Sequence, residues 1–72
     1  ITVMRELLVE KFKNPELGQK LIDTGLAELI EGNNHGDREW GATKGLEGQW
    51  IGKNLLGKML MEIRDDLNWG RI

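Results

Sequence analysis

Apolar residues recur at helical spacing in three parts of the chain, and the breakers between those parts mark where each helix begins and ends. The first helix is predicted from Thr2 to Phe12, because apolar residues there recur three or four positions apart and leave charged residues for the solvent side. The apolar positions of this helix are Met4, Leu7, Leu8 and Phe12.

The second helix is predicted to begin at Asn14 and Pro15. An Asn side chain accepts an amide hydrogen bond at a helix start, and Pro gives up a donor that the first turn does not use. Its predicted end is Thr24-Gly25, because glycine readily adopts the left-handed conformation that closes a helix.

The third helix is predicted to follow Gly52-Lys53-Asn54 and to end between Asn68 and Gly70. Asn54 is interpreted most simply as its N-cap, and Gly57 near its start as a position of close packing. The apolar stripe consists of Leu55, Leu56, Met59, Leu60, Ile63 and Leu67.

Two non-helical segments lie between the second and third helices. Leu26–Glu31 is predicted to be a short strand, because adjacent apolar residues are followed directly by the breaker Gly32. From Gly32 to Gly52, glycine, asparagine and charged residues dominate and predict one long loop, in which Trp40 and Trp50 argue against disorder. The fold class expected is therefore α+β and mainly helical, with about three helices, one short strand and a long functional loop.

The composition limits the classes of function. A chain of 72 residues allows one domain at most, and it has no cysteine for a disulfide or a thiolate metal site. A net charge of −2 gives no support for a nucleic-acid backbone as partner, and the short apolar runs exclude a membrane-spanning helix. A cytoplasmic protein is the default expectation. The opening on Ile1, without a methionine, indicates a partial domain spanning residues 1–72.

The loop brings a carboxylate, an indole and several glycines close together in the chain. Glycine allows a backbone to approach a ligand, a carboxylate orients hydroxyls or moves a proton, and an indole stacks on a flat heterocycle. Asp37, Trp40 and Gly41 thus suit a planar base joined to a sugar. The alternative is structural: Asp, Asn and Gly also form ordinary turns, and Trp40 then fills the core beneath the loop.

His35 is the single histidine, so no metal site or nucleophile dyad can be assembled around it, and a role in a turn is expected. No metal and no cofactor are predicted.

The ordered set of short motifs resembles the second half of the NADAR (YbiA-like) family over almost the whole chain. The motifs are Thr24-Gly25, Leu29-Ile30-Glu31-Gly32-Asn33, Asp37, Trp40-Gly41, Gly52-Lys53-Asn54-Leu55-Leu56-Gly57, Leu60-Met61 and Arg64. The resemblance implies an α+β domain that hydrolyses N-glycosidic bonds to ribose, either in ribosylamino-pyrimidine phosphates of the riboflavin pathway or in ADP-ribosylated guanine.

The resemblance also implies the site residues. Asp37 matches the acidic position and is expected to bind ribose hydroxyls or assist proton transfer, while Trp40 is expected to stack on the base. The start of the third helix with Asn54 is expected to hold phosphate or the loop. The positions that match neighbouring substrate-binding motifs are Glu31, Gly41, Asn54 and Arg64.

The chain departs from the family in two ways. Glu39 stands where an apolar residue usually precedes Trp-Gly, and the family's first half, with a further glutamate, has no counterpart here. Because charge stabilisation and proton transfer normally draw on both halves, this chain alone is expected to be inactive.

Three hypotheses follow from that departure. The first is the second half of an N-glycosidase that acts on a small ribosylated base or on ADP-ribosylated nucleic acid. The second is a non-catalytic module that binds ADP-ribose or a nucleotide. The third is a structural fragment that folds by self-association, as a homo-oligomer or with the missing amino-terminal half.

Overall fold

A computed structural model describes residues 2–72, and within that range it contains three α-helices and one two-stranded sheet. The mainly helical α+β class expected from the sequence is confirmed, and each of the three predicted helices is present. In chain order the elements are α1 (Thr2–Phe12), α2 (Pro15–Ile22), β1 (Thr43–Lys44), β2 (Trp50–Ile51) and α3 (Leu55–Asn68). None of the helices formed by the described residues is long and apolar enough to cross a membrane.

The chain divides into two compact units. The first unit combines the residues up to Ala27 with Leu60–Ile72, and the second unit is Glu28–Met59. In the first unit α1 packs against α2, and the buried apolar side chains among the described residues are Leu21 and Ile63. In the second unit they are Ala42 and Met59.

The start of α2 follows the cap expected from the sequence. The Asn14 side-chain Oδ1 accepts hydrogen bonds from the amides of Glu16 and Leu17 at 2.9 and 3.4 Å, and Pro15 occupies the first helical turn. After the helix ends, Gly25 has φ of +64°, in the left-handed region that glycine adopts without strain. The predicted start of this helix is therefore confirmed, whereas its end lies at Ile22 with Asp23 as the C-cap, two residues before the predicted Thr24-Gly25.

Charged side chains link α1 and α3 on the surface of the first unit. Arg5 Nη1 lies 2.7 Å from Glu62 Oε2, and Arg5 Nη2 lies 2.9 Å from Asp66 Oδ2. Hydrogen bonds with Asp66 and then Asp65 raise the pKa of the Arg71 guanidinium above its usual value. Ion pairs at a protein surface contribute little to stability, so the packing of the helices does not depend mainly on them.

The strand predicted over Leu26–Glu31 is wrong. Leu26 lies in a turn and is fully exposed, and the residues from Ala27 to Glu31 have no regular secondary structure. The backbone of this segment is hydrogen-bonded to the side chain of Asn54, just before α3, and not to a neighbouring strand. Sheet-like pairing begins only at Gly32, which forms an isolated parallel bridge with Ala42.

The predicted long loop contains a β-hairpin. Thr43 pairs with Ile51 and Lys44 with Trp50 in an antiparallel register. The connecting turn is closed by a 2.7 Å hydrogen bond from the Gly45 amide to the Gln49 carbonyl, and Gly48 has φ of +82°. Two strands are thus present where the sequence predicted irregular structure, and the candidate site occupies the segment before the hairpin.

Candidate functional site

The Asn33 side chain holds the loop that carries Asp37. Its Nδ2 donates to the Asp37 carbonyl at 2.8 Å, and its Oδ1 accepts from the amides of Asp37 at 3.0 Å and His35 at 3.3 Å. A longer contact of 3.5 Å reaches the Ala42 carbonyl. Residues 33–37 are therefore closed into a ring by one side chain. Asn33 belongs to one of the family-like motifs but was not predicted as a site residue, although Asn commonly closes such turns.

Asp37 uses one carboxylate oxygen to build the next turn. Its Oδ1 accepts hydrogen bonds from the Glu39 amide at 3.0 Å and the Trp40 amide at 3.1 Å. The structural alternative for Asp37, a turn former, is confirmed for this oxygen. Oδ2 makes no hydrogen bond with any residue in the range 2–72. A half-buried carboxylate is thus fixed through one oxygen and free to meet a ligand through the other.

The turn from Arg38 to Gly41 is joined to the start of α3 by a ladder of backbone hydrogen bonds. The amides of residues 53–56 donate to the carbonyls of residues 38–41 at distances from 2.7 to 3.1 Å. Among them are Leu55 to Glu39 and Leu56 to Trp40, which satisfy amides that a helix start leaves without an intrahelical partner. The start of α3 therefore holds the loop, one of the two roles expected of it.

Gly41 is buried where two segments of backbone approach closely. The Ala42 amide donates to the Glu31 carbonyl at 2.9 Å, and a Cβ built on Gly41 would overlap that same carbonyl oxygen. The same Cβ would lie 2.8 Å from Asn33 Nδ2. Close approach explains glycine at this position, next to the half-buried Trp40.

Asn54 connects the approach to α3 with the segment before the site. Its Oδ1 accepts from the Glu31 amide at 2.9 Å, and its Nδ2 donates to the Leu29 carbonyl at 2.8 Å. The N-cap interpretation is wrong, because the side chain binds this distant backbone and not the amides of its own helix. Asn54 also has φ of +52°, a left-handed conformation that Asn tolerates better than most residues.

Replacing Asn54 separates these two contributions to stability. Asn54→Gly keeps the left-handed backbone accessible and loses both side-chain hydrogen bonds, so we expect it to lower the free energy of unfolding by about 2 kcal/mol. Asn54→Ala also strains the backbone, which adds a further loss of about 1 kcal/mol. Urea titrations measure both values. Equal stability of the two variants would show that the positive φ carries no cost.

Glu31 and Arg64 differ in whether their charged groups already have hydrogen-bond partners. The Glu31 backbone is bound at both its amide and its carbonyl, while its exposed carboxylate makes no hydrogen bond with a described residue. Arg64 belongs to the first unit and is only 8% exposed. Its Nη1 donates to Thr24 Oγ1 at 2.8 Å and to the Ala27 carbonyl at 2.9 Å, which stabilises the turn after α2. Its role in binding substrate stays a prediction.

An open pocket of about 360 Å³ lies beside the Asp37 loop. Arg38 Nε donates to Thr43 Oγ1 at 2.9 Å, and Lys44 Nζ lies 4.9 Å from the centre of the Trp50 ring. Sequence reasoning missed this pocket, because it forms only when β1 folds back beside the loop. Its lining residues are Asn33, Asn34, Gly36, Arg38, Thr43 and Lys44.

No group of three or more acidic or histidine side chains in the described part of the chain is arranged to hold a metal ion. The polar groups of the Asp37 loop and the pocket beside it are the Asp37 carboxylate, backbone amides and the side chains of Arg38 and Lys44. Their chemistry is that of hydrogen bonding, charge pairing and proton transfer.

Comparisons with known proteins identify the family of the chain. The profile of the NADAR domain matches residues 1–68, and the chain therefore belongs to the NADAR family. It is 39% identical over 61 residues to a protein named N-glycosidase R617 from Acanthamoeba polyphaga mimivirus, a match that covers 75% of this chain and 35% of that protein.

A second relative is named riboflavin biosynthesis protein VVA0006, from Vibrio vulnificus strain YJ016. It is 41% identical over 68 residues, which cover 93% of this chain and 17% of that protein. The chain thus spans about a third of the first relative and about a sixth of the second. No solved structure is significantly similar to it.

Proposed function

We propose that this chain is the carboxy-terminal part of a NADAR domain that hydrolyses an N-glycosidic bond between a ribose and a base. The observation that carries the proposal is the Asp37 carboxylate, which two backbone amides hold through Oδ1 while Oδ2 has no partner among the described residues. Membership of the NADAR family and relatives named for N-glycosidase activity and riboflavin biosynthesis support it.

The chemistry of the reaction assigns the roles. Cleavage of an N-glycosidic bond develops positive charge on the ribose ring, and the departing base takes up a proton. The Oδ2 of Asp37 binds the ribose hydroxyls or transfers the proton. Trp40 is half-buried, follows Asp37 in the same turn and stacks on the base. Glu31 has an exposed carboxylate, and the Asn54 side chain holds the Glu31 backbone amide. This carboxylate contacts the ribose.

A second charge-stabilising group is needed for the full rate, and we propose that the remainder of the domain supplies it. Glycosidases commonly use two carboxylates on opposite sides of the bond. The Asp37 turn provides one that is fixed in position. The substrate classes proposed are ribosylamino-pyrimidine phosphates and ADP-ribosylated guanine, free or in a nucleic acid, encountered in the cytoplasm.

A turnover assay tests the proposal. The protein translated from the complete reading frame and the 72-residue chain are each incubated with a ribosylamino-pyrimidine phosphate and with ADP-ribosylated guanine. We expect release of ribose phosphate or ADP-ribose by the complete protein and none by the chain alone. Failure of the complete protein to cleave either substrate would refute the proposal. Saturable binding without cleavage would instead favour the non-catalytic module.

A further inference from the structure

Two cations on the pocket beside the Asp37 loop have no acidic partner. Arg38 and Lys44 form no ion pair with any acidic residue in the range 2–72. Lys53, in the same unit, lies 3.2 Å from Glu39 and is therefore neutralised. Both residues line the pocket, and positive charge without a counter-ion attracts an anion.

Arg38 is oriented before any ligand binds. Its Nε donates to Oγ1 of the buried Thr43 at 2.9 Å, and neither Nη atom makes a hydrogen bond with a described residue. A guanidinium held through Nε still presents donors that fit the oxygens of a phosphate. The ammonium of Lys44 lies 4.9 Å from the centre of the Trp50 ring, close enough for a cation–π interaction that limits its movement.

Backbone amides complete the donor set of the pocket. The amides of Asn34 and Gly36 make no hydrogen bond with any residue that the structure describes. Gly36 has φ of +87°, and a Cβ built there would meet nothing within 4 Å, so this part of the loop faces open space. Successive amides in a turn with a positive φ commonly contribute to the binding of anions.

We propose that this pocket binds the phosphate group carried on the 5′ oxygen of the ribose in the substrate. The cations and amides suit a phosphate, and Asn33 places the pocket next to the proposed site of chemistry. Asn33 lines the pocket, and its side chain also holds the amide and the carbonyl of Asp37. One loop therefore positions both the phosphate and the carboxylate. The inference rests on the proposed function only for the ribose that carries the phosphate.

Binding measurements with and without a phosphate test the pocket. The full-length protein, labelled with ¹⁵N, is titrated with ribose 5-phosphate, ADP-ribose and phosphate-free ribose. We expect the amide signals of Asn34 and Gly36 to shift with the two phosphorylated probes and not with ribose. Arg38→Gln and Lys44→Gln are each expected to weaken binding of ribose 5-phosphate about tenfold. Lys58→Gln removes the same charge from an exposed position of the same unit outside the pocket and is expected to leave the affinity unchanged.

The outcomes separate this inference from the proposed function. Tighter binding of ADP-ribose than of ribose 5-phosphate, with the same dependence on Arg38 and Lys44, supports the pocket and makes an internal diphosphate its ligand. Equal signal shifts with ribose, no shift with either phosphorylated probe, or an equal effect of Lys58→Gln overturns the inference. If the protein binds phosphate at this pocket but does not turn over a glycoside, the phosphate-binding inference is supported and only the proposed function is refuted.

Discussion

Asp37→Asn is expected to lower the rate of glycoside cleavage by the full-length protein by a factor of about 10²–10⁴. An asparagine oxygen still accepts the hydrogen bonds that Asp37 Oδ1 takes from Glu39 and Trp40, so the turn is retained. The change replaces Oδ2 with an amide group, which has no charge to stabilise the ribosyl cation and no basicity for proton transfer. Single-turnover rates with saturating substrate measure the effect.

Two further variants make the Asp37 result specific. Glu47→Gln removes an exposed carboxylate in the hairpin turn of the same unit, and we expect it to leave the rate unchanged. Asp37→Ala also removes Oδ1, which accepts hydrogen bonds from the Glu39 and Trp40 amides, so it should lower stability in addition to the rate. A folded Asp37→Asn protein that retains the parent rate would show that Asp37 acts only as a turn former.

The helices could be predicted from the sequence because each is specified locally. The bounds of α1 follow from apolar residues spaced by helical turns, and the start of α2 follows from Asn14 and Pro15, whose cap forms within three residues of chain. Gly25 indicated the turn that follows α2, although the helix itself ends earlier, at Ile22. These signals need no knowledge of what else the chain brings nearby.

The segment around Leu29 could not be predicted in the same way, since its hydrogen-bond partner is 23 to 25 residues away. Leu29 and Glu31 are bound by the Asn54 side chain, which competes with the strand pairing that their apolar neighbours favour. Periodicity cannot show such a partner. The hairpin did have a local signal, because Thr43 and the Trp50-Ile51 pair, which favour strands, flank the turn-forming Gly48.

The candidate site shows the same division between local and distant information. Asp37 and Trp40 were identified from residue type, and their relation to each other is a turn within four residues. The pocket lined by Arg38 and Lys44 could not be predicted, because it forms only when β1 returns beside the loop. The role of Asn33 could not be predicted either, because its hydrogen bonds reach Asp37 and Ala42 further along the chain. Site residues that a single turn brings together could therefore be predicted from the sequence. Site residues that two separate segments bring together could not.

Gly57→Ala is expected to destabilise the fold, although the same change inside an exposed helix stabilises it by about 1 kcal/mol. Gly57 is buried near the start of α3, and a Cβ there would overlap the Leu29 carbonyl oxygen and the Asn54 side chain. Relieving that overlap requires the segment held by Asn54 to move away. We expect a net loss of about 3 kcal/mol in the free energy of unfolding, measured by urea titration followed by circular dichroism.

A matched control and a double variant identify the cause of the Gly57 effect. Lys58→Ala introduces the same residue at the exposed neighbouring position, and we expect a change within about 0.5 kcal/mol. In Asn54→Gly/Gly57→Ala, one of the two overlapping groups has gone, so the combined loss should be smaller than the sum of the single losses. Strict additivity would mean that the Leu29 carbonyl alone requires glycine here. A Gly57→Ala protein more stable than the parent would mean that helix propensity outweighs the close approach on which the position of Glu31 depends.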